Sequence, residues 1–189
     1  MSAFENDLPE GLDDVEEMDE IEEIESFDEI KDDPREFVNE ADIAVAAWHE
    51  DGRWTLAELS DPYDIAQIIT RLKSQQTNGG SIALISIDEE FFILIRVLGS
   101  HISLFLSDAT AALDYPVAEE LMEIADLLIP EDDEESGPVG HLEILADLGM
   151  SGMEISALCD DEELFPDEQL EAIAARLGFG DQFAELLDL

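Results

Sequence analysis

Three histidines, one cysteine and a large excess of carboxylates are the groups in this chain that could do chemistry. His49, His101 and His141 fall in separate predicted elements with no ligand spacing between them. Cys159 has no second cysteine with which to build a metal site or an internal disulfide. Neither H-E-x-x-H nor H-x-E followed by P-C-x-x-C occurs, which removes zinc hydrolysis and zinc-dependent deamination. There is no G-x-S-x-G, no phosphate-binding loop and no dinucleotide fingerprint, and Gly79-Gly80 precedes a strand where a phosphate loop would precede a helix. With 51 acidic residues, any two carboxylates could be nominated as an acid/base pair, so spacing selects none. The expectation is a protein that is not an enzyme, with no catalytic residue, no cofactor and no metal site.

Two weaker patterns have plain structural readings. Asp132, Glu134, Ser136, Gly137, Val139 and Glu143 fall at positions 1, 3, 5, 6, 8 and 12 of a calcium-loop template. Against it, Glu stands at position 3, Pro138 stiffens the centre, and so acidic a chain matches oxygen-ligand templates by chance, so a charged linker is expected here. Arg96 is the one basic residue in the central apolar runs, and a carboxylate partner at the end of the sheet is expected in preference to an anionic ligand.

The charge limits the partners. Against its 51 acidic residues the chain has 7 basic ones, a net charge of -44 over 189 residues. Such a field repels nucleic-acid phosphates and anionic membranes and attracts basic proteins, with a reach of roughly 8 Å at physiological salt. Hydrophobic residues still make up 46% of the chain, enough for a core. The opening residues have no basic n-region and no apolar h-region, and no run approaches a membrane span, so a cytoplasmic protein is expected.

The elements are organised around Ser81 to Asp108, where three runs rich in Ile, Leu, Phe and Val are separated by Asp88-Glu89-Glu90 and Gly99-Ser100. They predict a three-stranded antiparallel meander, and their near-continuous apolarity predicts a sheet covered on both faces. The covers expected are the C-terminal helices or a second copy, which leaves a homo-oligomer open. Upstream, Ile43 to His49 and Arg53 to Leu59 predict a hairpin around Asp51-Gly52, with Trp48 and Trp54 placed to pair across it. Ser60-Asp61-Pro62 predicts the start of a helix over about 62–76. Downstream, Ser107-Asp108 predicts a short helical piece over Ala109 to Leu113, and Pro116 a helix to Leu128. The predicted fold class is α+β, an antiparallel sheet of about five strands with flanking helices. The predicted organisation is an acidic disordered tail (1–40), an α+β domain (41–129), an acidic linker (130–140) and a helical C-terminal unit (141–189). That last unit has helices over His141 to Leu148, Ser151 to Cys159, Pro166 to Leu177 and Asp181 to Leu187, the second opened by a Ser151/Glu154 capping box.

Within the tail, Leu12, Val15, Met18, Ile21, Ile24, Phe27 and Ile30 recur at every third position among acidic residues. On an α-helix this step winds around the cylinder; in a polyproline-II-like chain it lines one edge. Val15, Met18, Ile21, Ile24, Phe27 and Ile30 are the candidate partner contacts, set against a tail that only solubilises.

Several of these segments carry a family resemblance. Ala46-Ala47-Trp48 with Asp51-Gly52-Arg53-Trp54, Phe105-Leu106-Ser107-Asp108-Ala109, the acidic linker, Leu145-Ala146-Asp147-Leu148-Gly149 and the stretch from Phe165-Pro166 to Leu187 resemble the actinobacterial tRNA adenosine deaminase-associated proteins. The resemblance covers roughly residues 42–189. It implies an accessory protein of the deaminase, with no catalytic residue to carry over. Combined with the charge, it predicts a non-catalytic acidic protein that contacts the deaminase or another basic protein and not tRNA. The alternative is a structural or small-ligand domain whose association with the deaminase is genomic only.

Overall fold

The computed structural model describes residues 42–75, 77–131 and 136–189. The expected tail, 1–40, lies outside them. Six strands form one sheet in the order β2-β1-β3-β4-β5-β6, every neighbouring pair antiparallel. They are β1 (Ile43–Glu50), β2 (Arg53–Glu58), β3 (Ser81–Ile87), β4 (Phe91–Leu98), β5 (His101–Leu106) and β6 (Val139–Gly140). The helices are α1 (Ile65–Ser74), α2 (Ala111–Asp114), α3 (Pro116–Ile124), α4 (Gly152–Cys159), α5 (Pro166–Leu177) and α6 (Gly180–Leu187).

The apolar runs of the meander are buried on both faces, because alternate side chains enter two separate cores. Ile85, Ile87, Phe91, Ile93, Leu104 and Leu106 pack with α1 and α3. Ile82, Leu84, Phe92, Leu94 and Phe105 pack with Ile155 of α4, Leu170 and Ile173 of α5 and Phe183 of α6. The C-terminal helices are thus the second cover.

The turns follow their sequences. Asp51 and Gly52 take φ of 51° and 80°, the left-handed pair that a two-residue hairpin requires. This turn closes on Glu50 opposite Arg53, which puts His49 opposite Trp54 and Trp48 opposite Thr55. The two tryptophans therefore do not pair, contrary to expectation. They sit on opposite faces, Trp48 against the α1/α3 core and Trp54 against the C-terminal one. Asp42 fixes the start of β1, accepting from the Tyr63 hydroxyl at 2.7 Å and from the Asp88 backbone N–H at 2.9 Å. Burial, reinforced by the Asp42 carboxylate, pushes the Tyr63 phenol well above its ordinary value.

Helix ends depart from expectation for local reasons. Asp61 accepts from the Tyr63 N–H in a turn, so α1 starts later, capped by Asp64 accepting from the Gln67 N–H at 2.7 Å. Asp108 likewise accepts from the Thr110 N–H and hydroxyl, and α2 starts only at Ala111. α3 stops at Ile124, not Leu128, because Asp126 adopts a left-handed φ of 54° and the Leu127 N–H returns to the Met122 carbonyl. Leu128 is then 94% exposed. Within His141 to Leu148 only Ala146–Leu148 forms a helical turn, of the 3₁₀ type, stopped by Gly149 at φ 98°. The Ser151/Glu154 capping box opens α4 as predicted. The acidic linker contributes the strand not foreseen: Val139 and Gly140 pair with Leu106 and Phe105, and a Cβ at Gly140 would run into the Leu104 carbonyl.

Removing residues 141–189 should therefore uncover Ile82, Leu84, Phe92, Leu94 and Phe105 together and cause aggregation or self-association. Light scattering on the truncated chain checks this; a monodisperse, equally stable monomer would contradict it.

Candidate functional site

Arg96 is the sequence-selected residue with the fullest set of contacts. Its side chain projects from β4 beneath the 141–149 segment and is almost wholly buried. Asp147 meets it with both carboxylate oxygens, the second at 2.7 Å from Nη2, and the Ile144 and Gly79 carbonyls accept from it at 2.9 and 3.2 Å. The hydrogen bond from Arg96 holds the Asp147 carboxyl below the usual carboxylate range despite partial burial. The expected carboxylate pairing is thus present, and the pair fastens the C-terminal segment to the sheet.

The histidines are less dispersed than their spacing suggests. His101 and His141 meet edge-to-face with ring centroids 5.9 Å apart, while the His49 ring lies against Trp54 with centroids 5.1 Å apart and planes tilted by 60°. Among the described residues no group of three or more His, Cys, Asp or Glu is placed to hold a metal ion. In the calcium-loop pattern, Asp132 and Glu134 lie outside the described residues. Of the rest, the Ser136 hydroxyl donates to Asp108, Val139 is in β6, and Glu143 accepts from the Gly152 N–H. The Cys159 thiol is pushed up to about 12, by burial first and then by Asp160 and Asp108, so it stays protonated at neutral pH and is a poor nucleophile. The tail candidates Val15, Met18, Ile21, Ile24, Phe27 and Ile30 lie outside the described residues.

Two of the solvent-facing clefts have linings of distinct chemistry. The first, of about 360 Å³, lies at the end of the sheet between the start of β4, the loop after β5 and the α4–α5 loop. Glu90, Asp108, Asp160, Asp161 and Glu162 line it, so its field favours a cationic side chain. No local motif announces this cleft, since its carboxylates come from three separated loops. The second, of about 390 Å³, is mainly apolar and lies between the edge of β5 and the end of α3. Elsewhere the surface is overwhelmingly acidic: residues 42–189 contain 33 Asp and Glu against five basic residues. Two of those five are engaged, Arg96 by Asp147 and Arg176 by Glu154.

Residues 42–180, from the Asp42 anchor to the start of α6, match the family described as Rv3753c-like tRNA adenosine deaminase-associated protein. The chain belongs to that family. It is 36% identical over 151 residues to protein Rv3753c of Mycobacterium tuberculosis (strain ATCC 25618 / H37Rv), an alignment covering 77% of this chain and 87% of the relative. No solved structure matches. The family match spans the Arg96/Asp147 pair and both clefts and begins where the described residues begin. Among the described residues no helix is long and apolar enough to cross a membrane.

Asp147→Asn should destabilise the fold by about 1–3 kcal/mol at neutral pH. The lower end is expected, because the Asp147 side chain is 57% exposed and water screens the pair. The folded state lowers this carboxyl's pKa, so its contribution is complete above the unfolded value and is lost as pH falls through the folded one. The gap between wild type and variant should close on acidification. Urea titrations at neutral and acid pH measure it, and a gap that widens toward acid contradicts the assignment.

Proposed function

We propose that this chain is a non-catalytic, cytoplasmic accessory protein that binds tRNA adenosine deaminase itself, through the basic surface with which that enzyme meets RNA. The observation that carries the reading is the pairing of family and charge: residues 42–189, which include the family match, contain 33 Asp and Glu against five basic residues. An enzyme acting on tRNA must present Lys and Arg to phosphates, and a surface built for phosphates is also the one that a dense carboxylate surface attracts. The same field repels tRNA, so the contact is with the enzyme and not with its substrate. A catalytic role is not part of the reading, since the one thiol is held protonated and the zinc-and-glutamate constellation of deaminases is missing from the sequence.

Long-range attraction speeds encounter but gives little specificity, so short-range apolar contacts must hold the complex. The tail residues Val15, Met18, Ile21, Ile24, Phe27 and Ile30 are suited to that task by their spacing among carboxylates. Affinity for the deaminase should then fall at least roughly tenfold from low to high salt without vanishing. Replacing the six tail residues by serine should weaken what remains at high salt. Calorimetric titration of the full chain against the purified deaminase and, separately, against tRNA checks this. Tight binding to free tRNA, or no salt-sensitive binding to the enzyme, overturns the proposal.

A further inference from the structure

The sheet has an open edge beside its apolar cleft. β6 pairs with only the last two residues of β5, and beyond it the His141 N–H donates to the Leu104 carbonyl at 2.8 Å. There the ladder stops, because the His141 carbonyl turns away to accept from the Ile144 N–H. Ser107 donates to Phe92 on β4, so by alternation the backbone groups of Leu104 and Ile102 point away from β4. Among the described residues, the β5–β6 pairs stop at Phe105, and no turn or loop bond reaches the N–H of Leu104 or the N–H and carbonyl of Ile102. These three groups border the second cleft, whose apolar wall is made by the Ile102 and Leu104 side chains, Ile124, Ala125 and Leu127. Ile124 is 46% exposed at its rim. On the opposite face of the edge stand the paired rings of His101 and His141.

Resting on the accessory reading above, we infer that this edge takes an extended segment of the partner protein as an added strand, apolar at its centre and basic on its flanks. Backbone bonds to Ile102 and Leu104 supply the pairing, and alternate apolar side chains enter the cleft against Ile124 and Leu127. Charge complementarity sets the flanks: Glu123 and Asp126, both exposed, interleave with the apolar residues of the wall. A second copy of this chain brings a further charge of -44 to the same place, which makes it the poorer occupant. The other edge, β2, also has no neighbouring strand among the described residues, but Arg53 and Glu58 mark its ends, and charged residues on an edge discourage strand addition.

The test uses the full chain labelled for amide NMR and a synthetic acetylated, amidated peptide, Thr-Lys-Thr-Val-Thr-Val-Thr-Lys-Thr. Its valines and lysines share one face. Binding should slow amide hydrogen exchange at Ile102 and Leu104. N-methylation of the peptide amides that face the edge should weaken binding at least about tenfold, and so should Ile124→Glu, which places a charge at the cleft rim. A thermal melt of Ile124→Glu like that of the wild type confirms its fold, and Ala125→Arg serves as a second blocking variant. Equal binding of the N-methylated peptide overturns the inference. So does protection at Trp54, Leu56 and Glu58 in place of Ile102 and Leu104, which would move the strand to β2. Protection at Ile102 that is already present without peptide, or that rises with protein concentration, overturns it too, since the chain itself or a second copy would then fill the edge. The two readings separate. Wild-type affinity of Ile124→Glu and Ala125→Arg for the deaminase sinks the added strand and leaves the accessory reading standing. Peptide binding at the edge without deaminase binding does the reverse.

Discussion

A sheet that is apolar on both faces cannot stand with one face in water, and the rest of this structure follows from that constraint. Phe91, Ile93 and Ile95 on one side of β4, with Phe92 and Leu94 on the other, are essentially inaccessible to solvent. Each such side chain contributes about 1.5–3 kcal/mol by leaving water, so neither face is dispensable. The first cover comes from helices that lie between and just after the strands in sequence. The second must be brought back from the C-terminus, and the Arg96/Asp147 pair and the Trp54 indole N–H donating to the Leu177 carbonyl at 3.1 Å hold it in place.

Much of this architecture is legible in the residues. The meander, its turns and its need for two covers can be read from runs of Ile, Leu and Phe broken by short polar pairs and triplets. What stays hidden are decisions made by a single hydrogen bond or dihedral. α3 ends at Asp126, an aspartate in the left-handed conformation usually given to glycine, so no glycine marks the stop. The Asp64 cap displaces the earlier Ser60-Asp61-Pro62 start because Asp61 is occupied by a turn. Whether Trp48 or His49 faces Trp54 depends on the register of a two-residue turn, which composition does not encode. β6 is invisible because two residues carry no periodicity; it exists because Gly140 can approach the Leu104 carbonyl where a side chain could not.

The candidate site is less legible than the fold for a different reason. Carboxylates are so abundant that their positions in the sequence carry little information, and only the fold collects Glu90, Asp108 and Asp160 to Glu162 around one cleft. His101 and His141, forty residues apart, meet only because β6 returns the chain to β5. β6 in turn pairs only with Phe105 and Leu106, so among the described residues no strand continues along Ile102 beside the apolar wall. In the proposed reading, charge selects the class of partner and the unfinished edge its shape.

The central claim, that this protein engages the RNA-facing basic surface of tRNA adenosine deaminase, is tested most directly by competition. Fluorescence polarisation of labelled tRNA on the purified deaminase, measured as the full chain is added, reports whether the two share a surface. The account predicts that tRNA is progressively displaced, and more weakly as salt rises. Full retention of tRNA on a deaminase saturated with this protein would contradict it.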